Sequence, residues 1–230
     1  MRPLIAILAV AALAVIATFA SAGRFGPIAL RTVPTPTPRV WEWPPAAPTD
    51  PALRTHPRLV SGFAVPVGGM DVPTEEQFLP NSPRAYRAGY HEGVDFPVRA
   101  GTPVLAAKAG TIVRIDRAFI EWTPTEEQAA FEAAQAAGHT PAATLDHLRG
   151  QQIWIDHGKG IVTRYAHLQA TAPLREGEVV TQGQVIGAAG SSGYTEGGPH
   201  LHFEIRVDDD FYGDGLPIVE LRYVISAAFR

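Results

Sequence analysis

The residues of this chain that could carry chemistry are its histidines. There are eight, His56, His91, His139, His147, His157, His167, His200 and His202, and no cysteine. The missing thiols exclude disulfides, thiolate metal sites, iron–sulfur clusters and a thiol nucleophile. Any metal would be held by nitrogen and oxygen. His200-Leu201-His202 lies in the strand-like run HLHFEIRV. Residues i and i+2 of a strand project from one face, with backbones about 6–7 Å apart. That suits one imidazole as a metal ligand and its neighbour as a base within reach. His91-Glu92-Gly93-Val94-Asp95 adds an imidazole and a carboxylate four positions apart. Fully extended they would stand roughly 13 Å apart. Gly93 and Phe96-Pro97 argue against a helix, so a bend at Gly93 is needed to bring them together. Both ligand types suit zinc; the competing reading is a surface turn stabilised by Asp95. His167, in TRYAHLQ, is again strand-like. Alternation puts Tyr165 on its face and turns Arg164 and Ala166 away; the plainer reading is a half-buried histidine bonded to the backbone. His56, His139 and His147 read as surface or satisfied core residues.

The elements that must position these groups are short strands. From Leu59 onward apolar alternation is broken by glycine or proline every few residues, as in GFAVPVGG, QQIWIDHGKGIVTRYAHL and GEVVTQGQVIGAAG. The expected fold is a predominantly β domain with an antiparallel sheet. One segment, residues 123–150, departs from this. Thr123-Pro124-Thr125-Glu126 has the form of a helix start, with threonine as N-cap, proline at N1 and glutamate at N3. The alanine- and glutamate-rich stretch that follows stops at Gly138, and Thr140-Pro141 restarts a shorter helix ending near Gly150. The spacing predicts a helical insertion between two strands, with a weak apolar face that packs only partly.

Upstream, an apolar run from Leu4 to Ala20 ends in Ala20-Ser21-Ala22. Residues 1–22 are expected to form an N-terminal hydrophobic helix, as a cleaved signal peptide or a membrane anchor. Residues 23–58 read as a proline-rich linker, leaving 59–230 for one domain. The protein is expected to be exported, either secreted, periplasmic or anchored to the envelope. It would touch membrane only through the uncleaved N-terminal segment. With 46% apolar and 18% charged residues the chain is in the globular range, and 22 glycines with 21 prolines argue against a helical bundle. A net charge of −4 supplies no basic face for nucleic acid.

The segments HEGVDF, GTPVLAAKAGTIV, RYAHL, EGEVVTQGQVIG and GPHLHFEI, in this order, resemble the lysostaphin-type (LytM-like) zinc metalloendopeptidases, which are peptidoglycan hydrolases. The likeness covers roughly residues 63–205. It implies Zn2+ held by His91, Asp95 and His202, with His167 and His200 as catalytic histidines that do not bind the metal. It further implies hydrolysis of peptide bonds in stem peptides or cross-bridges of bacterial peptidoglycan. No His-Glu-x-x-His helix offers a glutamate base, and histidine titrates in the right range to replace it. Glu92 is expected to point away from the metal. His157 is expected to make structural hydrogen bonds at its turn, and Arg206, Tyr194 and the loop 190–199 to line the cleft. The alternative is a catalytically inactive homologue that binds the cell wall or activates another hydrolase; such a protein would be expected to lose ligands. A biotinyl- or lipoyl-carrier reading centred on Lys108 leaves the histidines unexplained.

Overall fold

The computed structural model describes residues 59–230. The expected export segment, the linker and His56 lie outside the described residues. Among the described residues, no helix is long and apolar enough to cross a membrane.

In chain order the strands are β1 (Pro83–Arg84), β2 (Gly89–Tyr90), β3 (Val94–Phe96), β4 (Pro103–Leu105), β5 (Gly110–Ile115), β6 (Gln151–Asp156), β7 (Ile161–Thr171), β8 (Val179–Val180), β9 (Val185–Ala189), β10 (Leu201–Val207) and β11 (Asp210–Phe211). The helices are α1 (Pro124–Ala137), α2 (Ala142–Leu148) and α3 (Ile218–Ala228). β1 and β2 form a small hairpin. The remaining strands make one sheet in the order β11-β10-β7-β6-β5-β8, with β3 also paired to β10 and β9 paired to both β7 and β4. Every pairing is antiparallel. The expected antiparallel β domain with a helical insertion is what the chain forms.

The pleat of β10 divides its residues between two tasks. Leu201, Phe203 and Ile205 enter the core, where Phe96, Ile153, Ile155, Tyr165 and Leu168 surround them. His202, Glu204 and Arg206, at alternate positions, project from the other face. β3 and β7 flank β10, with His202 opposite Asp95 on one side and Ala166 on the other.

The insertion forms as its local signals predict. Thr123 and Glu126 make a reciprocal capping box with proline at the helix start, and Gly138 ends α1 in the left-handed conformation at φ 72°. Its apolar face is thin, since α1 buries only Ala134 and α2 only Leu148. A bidentate ion pair ties it to the sheet: Arg114 on β5 donates to both carboxylate oxygens of Asp146 on α2, each at 2.8 Å.

α3 is an addition to the sequence expectation. It buries Leu221, Val224, Ile225 and Ala228, the i, i+3, i+4, i+7 stripe of a surface helix. Phe229, just beyond it, packs edge-on against Phe96 and tilts against Phe203. Lys108 donates to the carbonyl of Ser61 at 2.8 Å and lies over the Phe63 ring.

Candidate metal centre

The expected bend at Gly93 is present, and its cause is visible. A β-carbon at that position would stand 2.5 Å from the Phe203 carbonyl oxygen and 3.0 Å from the His202 ring. Only glycine lets the β2–β3 connection run this close to β10. The bend carries His91 back over β3, and the register of β3 on β10 sets Asp95 opposite His202.

Three donor atoms meet there. His91 Nε2, Asp95 Oδ1 and His202 Nδ1 lie 2.9 Å apart in each pairing. Among the described residues this is the group of histidines and acids whose atoms could hold a metal ion. The outer ring nitrogens fix which lone pairs are available. His91 Nδ1 donates to the Leu79 carbonyl at 2.9 Å, so its Nε2 is bare in the neutral ring. Burial, which disfavours the charged ring, pushes the His91 pKa down. His202 Nε2 donates to Glu204 Oε1 at 3.1 Å, which leaves Nδ1 bare when that ring is neutral. Three acceptors meeting at 2.9 Å require a positive centre among them. Burial lowers the His202 pKa, but its bonds to Asp95 and Glu204 outweigh that and raise it. A proton on Nδ1 therefore satisfies the cluster in the absence of metal. Two imidazole nitrogens and a carboxylate oxygen, each oriented by an outer partner, equally suit a divalent cation in the same place.

Glu204 is fully buried. Burial would raise its pKa, but the charges of Arg149 and Arg164 and the His202 bond hold it well below the usual carboxylate range. Arg149 Nε reaches Glu204 Oε1 at 2.5 Å, and Arg206 Nη1 reaches Oε2 at 3.2 Å. Glu92 points away from the three donors, as expected, and accepts from Arg149 at 2.6 Å and Arg206 at 2.9 Å. Neither Glu204 nor Arg149 was singled out in the sequence. Glu204 could have been found from its i+2 position on the face of His202; Arg149 carries no local signal.

His167 and His200 stand beside the triad. Their ring centroids are 4.5 Å apart, and His167 lies 5.7 Å from His202 by the same measure. His167 Nδ1 donates to the Ser192 carbonyl at 2.8 Å, and His200 Nδ1 to the Gly198 carbonyl at 2.9 Å. Each neutral ring therefore keeps a bare Nε2, and that of His200 is 3.7 Å from Asp95 Oδ1. Burial holds the His167 imidazole well below its ordinary pKa. The expectation that Tyr165 shares the face of His167 is overturned. A register shift places two residues of β7 against one of β6, so that Gln151 faces Leu168 while Ile153 faces Tyr165. His167 takes φ 57° and turns to the site, while the Tyr165 hydroxyl accepts from the Ala107 amide in the core.

A cleft of about 360 Å³ opens over these groups and includes His91, Asp95, His167, His200 and His202 in its lining. Tyr194, Gly197 and Pro199 of the loop 190–199 line it as expected. Arg206 does not line it; its guanidinium is taken up by Glu92, Glu204 and the Asp209 carbonyl. Gln77, Phe78, Arg84, Tyr86 and Arg87 form a wall without a signal in the sequence, and the insertion borders the cleft through Leu145, Leu148 and Arg149. Tyr86 stacks on Tyr194 at the rim, with centroids 5.3 Å apart. His157 makes the structural bonds expected of it, to the Ala109 carbonyl and the Thr163 hydroxyl. His139 bonds the Ala137 carbonyl, and His147 stacks on Trp122, which directly precedes the insertion.

The sequence model of Peptidase family M23 matches residues 89–213. The chain is 31% identical over 133 residues to an uncharacterized metalloprotease of Haemophilus influenzae, covering 57% of this chain and 22% of that protein. It is 29% identical over 118 residues to the peptidoglycan DD-endopeptidase ShyC of Vibrio cholerae, covering 51% and 20%. Lysostaphin of Staphylococcus staphylolyticus is 31% identical over 127 residues, covering 55% and 20%. The chain thus spans about a fifth of the length of these relatives.

Proposed function

This chain belongs to Peptidase family M23, and from that premise we propose that it is an exported zinc endopeptidase that hydrolyses peptide bonds in bacterial peptidoglycan. The observation that carries this reading is the convergence of His91 Nε2, Asp95 Oδ1 and His202 Nδ1 at one point, beside two further histidines with bare Nε2 atoms. Three protein ligands are what a catalytic zinc site uses, because the fourth position stays open. Zinc bound there would supply the Lewis acidity that activates water and polarises a scissile carbonyl. His167 and His200 then handle the protons. Each holds its Nδ1 proton on a carbonyl and offers Nε2 as an acceptor, so either ring can take a proton from water. Once protonated, that Nε2 becomes a donor toward a developing oxyanion or a departing amine. Peptidoglycan as substrate is supported by the activity named for ShyC, and the glycines of the loop 190–199 would let an extended peptide approach the backbone closely. In this reading residues 1–22 direct export or anchor the chain, 23–58 form the linker, and 59–230 are the peptidase domain with its insertion.

The test is digestion of purified peptidoglycan with the full chain and with His202→Ala, with muropeptides identified by mass spectrometry and zinc measured on both proteins. One zinc per chain and new cleaved peptides, both lost in His202→Ala, are the expected result. Cleavage that persists in His202→Ala would overturn the ligand assignment. Full zinc occupancy with no cleavage would favour an inactive, wall-binding homologue.

A further inference from the structure

We infer that Arg149 is a positioning residue through which the helical insertion sets the geometry of both halves of the site. This deepens the zinc reading above and rests on it. Arg149 directly follows α2 and is 3% exposed. Its Nε donates to Glu204 Oε1, the same oxygen that accepts from His202 Nε2. Its Nη2 donates to Glu92, the immediate neighbour of His91. One planar guanidinium therefore holds the carboxylate that fixes the His202 tautomer and the residue that follows the other imidazole ligand. Its rigid fork can hold both carboxylates at once, which an ammonium on a flexible stem cannot match.

The backbone of the same residue reaches the second half of the site. The Arg149 carbonyl accepts the His167 amide at 2.8 Å, the bond that closes the bulge in β7 where His167 takes its positive φ. Gly150, the next residue, lies so close to Ser192 that a β-carbon would stand 2.2 Å from its carbonyl oxygen. That oxygen is the one that receives His167 Nδ1. The end of the insertion thus touches the outer partner of one metal ligand, the neighbour of another, and both the amide and the ring partner of a catalytic histidine.

A purely structural ion pair would give the same burial, so the test must separate positioning from general loosening. Arg114→Met removes a different tether of the insertion, its bidentate pair with Asp146, without touching the site. Metal-free full-length protein is titrated with cobalt(II) against a chelator, the visible absorption of the loaded protein is recorded, and Tm is measured without metal. Arg149→Lys keeps the buried charge and is expected to weaken cobalt binding about 10–100-fold, the usual effect of losing an outer partner, and to shift the absorption bands. Arg149→Met, where it folds, should weaken binding further. Arg114→Met is expected to lower Tm while leaving affinity and bands as in the wild type. Wild-type affinity and bands in Arg149→Lys would overturn the inference and leave the zinc reading standing. Equal weakening in Arg114→Met would also overturn it, by showing that any loosening of the insertion suffices. Failure of the wild-type chain to bind cobalt would overturn the zinc reading and this inference together.

Discussion

At His167 and His200 one ring nitrogen is committed to a backbone carbonyl and the other is left bare in the neutral ring. Replacing either by alanine should leave one bound zinc per chain and lower kcat by about 10²–10⁴, the range for lost acid–base catalysis. Metal analysis beside turnover checks this, and loss of zinc from either variant would move that residue into the ligand set. His202 carries the pH dependence. Its raised pKa keeps Nδ1 protonated over a wider range, and metal must displace that proton. Apparent zinc affinity should therefore fall as pH drops toward and below the ordinary histidine range, and chelator competition between pH 8 and 5.5 measures it. Constant affinity over that window would show that His202 Nδ1 is not a ligand. At this scale the five residues proposed for the site stand out by residue type, spacing and family likeness, and the fold brings them to one cleft. Arg149 was not, because its partner Glu204 is 55 positions away and no local pattern announces a contact across the fold.

Among the elements, those written in local signals were legible and those written in tertiary contacts were not. The insertion could be read because Thr123, Pro124, Glu126 and Gly138 cap it within its own sequence. The bulge at His167 could not, since the strand pattern of TRYAHLQ continues through it and the bond that turns the residue comes from Arg149. α3 carries a helical stripe in Leu221, Val224, Ile225 and Ala228, but it is short and follows a glycine- and proline-punctuated run of strands. Leu221→Ala should cost about 2–5 kcal/mol, the usual range for a buried leucine, measured by denaturant unfolding. A loss below 1 kcal/mol would mean α3 is not part of the cooperative core. Gly93→Ala acts on the connection between β2 and β3. Its methyl would be forced against the Phe203 carbonyl oxygen, so β3 must shift away from β10. Zinc binding should weaken at least tenfold in that variant, while the far end of the sheet keeps its hydrogen-exchange protection.

For the whole molecule, a bound metal would join segments that meet only through the sheet. His91 precedes β3, Asp95 lies within it, and His202 lies on β10. Zinc held by all three stabilises the folded state alone, by about 4 kcal/mol at a thousandfold excess over Kd. Thermal unfolding should therefore shift upward with added zinc in the wild type and not in Asp95→Ala. β10 has a broader consequence. Because its alternate residues serve core and site, sliding it by one position against β3 and β7 would push His202 into the apolar interior and Phe203 into the cleft. No misaligned molecule could then assemble the triad. Metal occupancy would thus be a proofreading signal for strand register, and the fraction of a refolded sample that takes up zinc would count the molecules that have paired their strands correctly.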